Sequence, residues 1–148
     1  MRLVIQRVLE ASVKINQQLY SSIGPGLLVL LGIHREDQIQ QVLWCVNKLT
    51  HLRIFSDAQG KMNVSLKEAK GHVLVVSQFT LYGNCLGGRR PDFLQAAPPA
   101  QALPLYHRFI DELKREIEVV QTGEFGADMQ VSLTNDGPVT LLIESEIK

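Results

Sequence analysis

Cysteine is scarce in this sequence. Only Cys45 and Cys85 occur among 148 residues, and neither belongs to a C-x-x-C pair or to a Cys/His cluster with zinc spacing. Neither a disulfide framework nor a zinc-held fold is therefore indicated, and a reducing compartment is the natural setting. Net charge is missing too, because 15 basic residues balance 15 acidic ones. Overall charge announces no nucleic-acid partner, so any such partner requires a local basic patch. No apolar run approaches membrane-spanning length, and Met1-Arg2-Leu3-Val4-Ile5-Gln6-Arg7-Val8 carries charge too often for a signal-peptide core. A soluble, cytoplasmic protein with no membrane partner is expected. Internal repeats, low-complexity tracts and linkers are also lacking.

What the chain does have is a 45% hydrophobic content, enough for one domain over residues 1–148 to bury a core without staples. Residues 2 to 9 and 11 to 16 read as paired strands. Gly24-Pro25-Gly26 then precedes a run from Leu27 to Ile33 that suits a strand buried on both faces. From Glu36 to Thr50 the period changes to that of a helix, with Ile39, Val42, Leu43, Val46 and Leu49 on one face. Glu36 and Asp37 sit where a helix N-terminus favours negative charge.

Leu52 to Phe55 suits a short strand, and Val73 to Val76 a buried one. After a loop from Gly83 to Pro99, Leu103, Tyr106, Ile110, Leu113 and Ile117 line a second helix, in which Pro104 is tolerable only in the first turn. Met129 to Thr134 and Val139 to Ile143 return to strand patterns. These elements predict an α+β fold, with mixed or antiparallel sheets covered on one side by two main helices.

Ser77-Gln78-Phe79-Thr80-Leu81 follows a buried strand, so its backbone N–H groups can emerge at a sheet edge and face a ligand. The hydroxyls of Ser77 and Thr80 invite a nucleophile reading, but His34, His51, His72 and His107 are scattered through unrelated elements. Read alone, the segment is a strand end with a capped turn. Gly137-Pro138 reads as an ordinary turn, Arg7 as a strand-end arginine, and Phe125 and Met129 as core residues. Arg89 and Arg90 are a surface pair, and Cys85 an incidental surface thiol.

In combination, Ser77-Gln78-Phe79-Thr80-Leu81 and Asn135-Asp136-Gly137-Pro138-Val139-Thr140 resemble the two signature motifs of the D-aminoacyl-tRNA deacylase family, in the family's order. Arg2 to Val8, Gly24 to Leu28, Arg53-Ile54-Phe55, Gly60 to Asn63, Arg89-Arg90-Pro91 and Thr122 to Leu133 are similar to family segments as well. One departure stands out. Asn84-Cys85-Leu86-Gly87 occupies a stretch where many family members carry an acidic residue, a threonine and one or two basic residues, which bears on the strength and salt dependence of tRNA contact.

The resemblance implies the family fold and a carboxylic ester hydrolase that needs no cofactor and no metal. It would release D-amino acids from D-aminoacyl-tRNA, and glycine from tRNA(Ala) mischarged with it. It implies a homodimer in which a cis Gly137-Pro138 enters the partner's site and bars L-aminoacyl esters, with Arg7 orienting that loop. Backbone N–H groups of Gln78 and Phe79 would steady the oxyanion, and the tRNA's terminal 2′-hydroxyl would assist attack by water, with Ser77 beside them among the catalytic residues and Thr80 more positional than nucleophilic. Phe125 and Met129 would line an adenosine pocket, and Arg89 and Arg90 would meet phosphates. Two alternatives stay open: a Thr80-nucleophile acyl hydrolase, and a non-catalytic tRNA-binding module.

Overall fold

Val, Ile and Leu recur from Arg2 to Ile15 with neither glycine nor proline between them. The computed structural model, which describes residues 1–146, makes this stretch one strand, β1 (Arg2–Ile15). The two strands expected over 2–9 and 11–16 are therefore halves of one, because no turn chemistry separates them at exposed Leu9 and Glu10. The reversal comes later, at Asn16 and Gln17 with φ of 51° and 65°, and leads into β2 (Gln18–Ile23), which the periodicity did not reveal. Next come β3 (Gly26–Gly32), α1 (Ile39–His51), β4 (Phe55–Ser56), β5 (Met62–Val64), the short α2 (Leu66–Ala69) and β6 (His72–Ser77). Helix α3 (Pro99–Glu116), β7 (Val120–Thr122) and β8 (Gln130–Glu144) complete the order.

Six strands form a mixed sheet in the order β2-β1-β3-β6-β7, with β8 on the other edge of β1, while β4 and β5 pair separately. β1 runs antiparallel to β2, β3 and β8, whereas β3, β6 and β7 are mutually parallel. Ser21 Oγ on β2 donates to the Thr122 carbonyl on β7 at 2.7 Å. That bond ties the two ends of the strand order together, so the sheet curls toward a nearly closed barrel. The α+β fold with two main helices is thus present.

Strand alternation explains how β3 and β6 are buried on both faces. Leu27, Val29 and Leu31, with Val73 and Val75, join the core under α1 and α3. Leu28, with Leu74 and Val76, joins a second core inside the curl, beside Val8, Val13 and Ile23. The helices cover one face, and the sheet itself covers the other.

Both helices depart from their expected outlines. Helix α1 starts at Ile39, and its buried stripe is Val42, Cys45, Val46 and Leu49, leaving Ile39 and Leu43 exposed. Asp37 does not serve the helix dipole. It is buried, pairs with the Met1 ammonium at 2.6 Å, and accepts a hydrogen bond from the His34 N–H at 2.6 Å. Pro104 lies inside α3, a full turn beyond its start at Pro99, and is exposed there, while Ala102, Tyr106, Phe109, Ile110 and Leu113 form the buried face. Among the described residues no helix is long and apolar enough to cross a membrane.

Candidate active site

β3 and β6 are parallel neighbours, so their C-terminal ends emerge at the same edge of the sheet, where Leu31 pairs with Ser77. The ladder holds for one more residue, since the Gln78 N–H donates to the Leu31 carbonyl at 2.8 Å. The chain then tightens into a 3-10 turn, Phe79–Tyr82, closed by Leu81 N–H to the Gln78 carbonyl at 3.2 Å. Gly32 permits this approach: a Cβ there would stand 3.0 Å from Leu81 Cβ and 3.2 Å from the Gln78 carbonyl. Of the two amides singled out from the sequence, that of Gln78 is therefore engaged in the ladder. Phe79 and Thr80 open the turn, where the first N–H groups of a 3-10 helix have no intrahelical acceptor.

Beside this turn lies a cavity of about 610 Å³, enclosed by the ends of β3 and β6, residues 93–99 and the segment Phe125–Met129. Its walls are mostly apolar. Phe93, which no sequence signal marked, stands edge-on to Phe79 with ring centroids 5.1 Å apart. Phe125 and Met129 both line the cavity, as do Ser77, Gln78 and Phe79, so five of the residues drawn from the sequence converge here. Phe125 is backed by the Tyr106 ring at 5.4 Å. Burial pushes the pKa of the Tyr106 hydroxyl up to about 12, against a smaller lowering by the Thr122 side chain. Asp128 is the one titratable side chain among the lining residues, and it is exposed.

Among the described residues no base hydrogen-bonds the Thr80 hydroxyl. That hydroxyl receives a hydrogen bond from the Gln78 side-chain amide. The histidines are occupied elsewhere: His34 Nδ1 accepts from the Glu36 N–H at 3.1 Å, His72 Nδ1 accepts from the Gly24 N–H at 3.1 Å, His51 closes α1, and His107 is exposed on α3.

Gly137 and Pro138 sit in a different part of the molecule. Their peptide bond is cis, both residues are exposed, and neither lines the cavity. Arg7, only 9% exposed, holds the segment from below: Nε donates to the Asp136 carbonyl at 3.0 Å and Nη1 to the Ile54 carbonyl at 2.7 Å. Asn135 clamps it from the side. Its Oδ1 accepts from the Val139 N–H at 2.7 Å, and its Nδ2 donates to the Val139 carbonyl at 3.2 Å. The side chain thus replaces a ladder partner across the Gly-Pro step. The Asn-Asp-Gly turn chemistry carried a signal for this clamp.

Arg7 pairs with Leu27, four residues along β3 from Leu31, where the Phe79 turn is anchored. At about 3.3 Å per residue that separation is roughly 13 Å along the strands, with β1 and β3 also intervening across the sheet. Arg89 and Arg90 are exposed and, among the described residues, form no ion pair. They ride on a loop pinned at its base by Asn84 and Asp92, whose main chains exchange hydrogen bonds of 2.8 and 3.1 Å. Cys85 is exposed on the same loop.

Residues 4–144 match the family described as D-Tyr-tRNA(Tyr) deacylase. The chain belongs to that family, which is one of hydrolases. A D-aminoacyl-tRNA deacylase of Protochlamydia amoebophila is 67% identical over 98% of this chain and 96% of its own length. One from Chlorobaculum parvum is 56% identical over the full length of both chains. Among solved structures, the c-Myc DNA Unwinding Element Binding Protein superposes with a TM-score of 0.94 at 42% identity, covering 99% of each chain. A probable eukaryotic D-amino acid tRNA deacylase shares the fold, with a TM-score of 0.82 at 21% identity. The deacylase motifs are thus seated at two separate places: one on the cavity rim, the other on an exposed stretch of β8.

Proposed function

We propose that the protein hydrolyses the ester of D-aminoacyl-tRNA, and of glycyl-tRNA(Ala), as a homodimer whose two motifs meet across the subunit boundary. The observation that carries this reading is the pairing of a main-chain donor turn beside an apolar cavity with a Gly137-Pro138 segment that is rigidly held yet too distant to serve its own cavity. Phe125 and Met129 offer a ring and a polarizable side chain to the terminal adenine. The N–H groups of Phe79 and Thr80 face the carbonyl oxygen of the ester, where one oriented donor contributes roughly 10²–10³ in rate. Water adds to the carbonyl carbon, assisted by the ribose 2′-hydroxyl, and the ribose 3′-oxygen departs. Ser77 and the Gln78 side chain hold the turn, and Thr80 is positional. Arg89 and Arg90 meet the tRNA backbone.

Rejecting L-esters is a problem of shape, since both mirror images carry the same groups. A pocket that senses a methylene gains only about 1–3 kcal/mol, so a fixed main-chain obstacle beside the α-carbon is the effective device. The partner's Gly-Pro segment supplies it, with Arg7 fixing its orientation. Glycine has no side chain to strike the obstacle and passes.

The test is a matched deacylation assay on D-tyrosyl-, L-tyrosyl- and glycyl-tRNA. Release from the D and glycyl esters with sparing of the L ester is expected, and equal rates on D and L would defeat the filter. For pairing across subunits, Phe79→Pro, which removes the donor N–H at a turn position that tolerates proline, is mixed with Gly137→Ala. In the 1:1 mixture about half of the working sites then combine an intact turn with an intact Gly137-Pro138, so L-ester release relative to D-ester release should fall to roughly half that of Gly137→Ala alone on exchange within a twofold dimer; an unchanged ratio counts against a shared site.

A further inference from the structure

The 3-10 turn that begins at Phe79 is gripped at its far end by a residue from the other side of the sheet. Arg2 Nη1 donates to the Leu81 carbonyl at 2.6 Å, while Arg2 Nε and Nη2 donate to Glu144 Oε1 at 3.1 and 2.6 Å. The guanidinium also lies over the Tyr82 ring, 4.7 Å from its centroid. Tyr82, buried at 7% exposure, packs edge-on against His34 with centroids 5.1 Å apart. Each contact falls on the last half of the turn, and none of them touches the cavity.

Resting on the deacylase reading above, we propose that Arg2, steadied by Glu144, is a positioning residue that aims the Phe79 and Thr80 N–H groups at the ester. A turn of four residues has few bonds of its own. Its first residues are fixed by the Gln78 ladder bond, and its direction depends on what holds the other end. A guanidinium presents several donors in a fixed plane, so it can cap a main-chain carbonyl and a carboxylate together, whereas an ammonium fixes neither plane nor spacing. The ring beneath it prevents the guanidinium from swinging away. Arg2 and Glu144 face each other in the β1–β8 register, so the edge strand that carries Gly137-Pro138 also carries the brace for the donor turn.

Deacylation of D-tyrosyl-tRNA by the full chain is measured, with kcat and KM separated, for Arg2→Leu, Arg2→Lys, Glu144→Gln and Lys67→Met. The last variant removes a surface ion pair with Glu116, remote from the turn. Amide exchange of residues 81–83 is followed alongside that of β1 and β3. Arg2→Leu is expected to lower kcat by about 10- to 100-fold, since misplacement of this kind costs up to 10², with KM within about twofold and faster exchange confined to the turn. Arg2→Lys recovers part of kcat, Glu144→Gln loses a few-fold, and Lys67→Met matches wild type.

Wild-type kcat in Arg2→Leu overturns the proposal, and so does an equal fall in Arg2→Leu and Arg2→Lys with loss of protection throughout the sheet. Should Arg2→Leu fail to fold, unchanged kcat in both Arg2→Lys and Glu144→Gln overturns it instead. Failure of the wild-type protein to release D-tyrosine counts against the deacylase reading alone, and the exchange measurements still decide whether Arg2 fixes the turn.

Discussion

The Phe79 turn and the Gly137-Pro138 segment are held by opposite means. The turn grows out of β3 and β6, both buried, and its first bond continues their ladder. The Gly-Pro segment lies exposed on β8 and depends on side chains reaching in from Arg7 and Asn135. A ladder between buried strands fixes where main-chain donors begin, because each strand is pinned on both faces, and leaves only the far end of the turn to the Arg2 brace. An exposed segment has no such support and must be tethered at named points. The contrast is clearest at Gly137, where φ is +142° and an added Cβ would meet Val139 Cγ2 at 2.7 Å and its amide nitrogen at 2.9 Å.

The largest effects should come from cutting those tethers. Arg7→Leu leaves the Ile54 and Asp136 carbonyls without their charged donor, a loss of about 2–4 kcal/mol in chemical denaturation. It should also lower D-ester turnover by up to about 10²-fold and erode D/L selectivity in the aminoacyl-tRNA assay. Gly137→Ala is expected to cost about 1–3 kcal/mol of stability through its backbone conformation and to impair the same selectivity. If either variant keeps wild-type selectivity, the exposed segment is not the filter and the comparison breaks.

A middle-sized effect belongs to the cavity wall. Phe93→Ala removes the edge contact with Phe79, for which aromatic pairs contribute about 0.5–1.5 kcal/mol. A rise in KM of roughly two- to tenfold, with kcat little changed, is the expected kinetic outcome. Thr80→Ala should do less still, retaining turnover within about tenfold because its hydroxyl only closes a bond with Gln78. A nucleophile in that position would instead lose 10⁴-fold or more on substitution, and an acyl-enzyme would be trappable by rapid quench.

At neutral pH the smallest effect lies outside both regions and shows only as alkaline pH dependence. Burial pushes the Cys45 thiol up to about 12 from 9.0, and the Tyr106 hydroxyl up to about 12 from 10.0. Both groups stay neutral in the folded chain at pH values where the unfolded chain releases their protons. Stability is therefore undiminished by them below pH 9 and declines between about pH 9 and 12, by about 1.4 kcal/mol per pH unit for each group that is ionised only when unfolded. Urea titrations should show a shallower alkaline decline for Cys45→Ala with Tyr106→Phe than for wild type. An unchanged slope would mean that these groups are not shielded in the core.

Much of the site was legible in the chain. Ser77 to Phe79 were named from a motif and Phe125 and Met129 from the family resemblance, and all line one cavity; Arg7 and Gly137 were named separately and touch. Phe93 escaped because its partner is set by how a loop folds back, which leaves no period in the sequence. The engagement of the Gln78 amide escaped because a strand's last hydrogen bond depends on its neighbour's register. Misjudged boundaries have the same origin: Glu10 interrupts an apolar pattern without reversing the chain, and Asp37 was drawn from the helix start by the Met1 ammonium.

By itself the sequence determined the α+β class, the buried strands and the chemistry available at each motif, because hydrophobic period and residue type are local properties. Tertiary structure alone decided which amides remained free, which side chains became tethers, and that the two motifs lie far apart in one chain. Those outcomes depend on strand register and curl, where a shift of one residue exchanges the faces of a strand and no short stretch of sequence records the result.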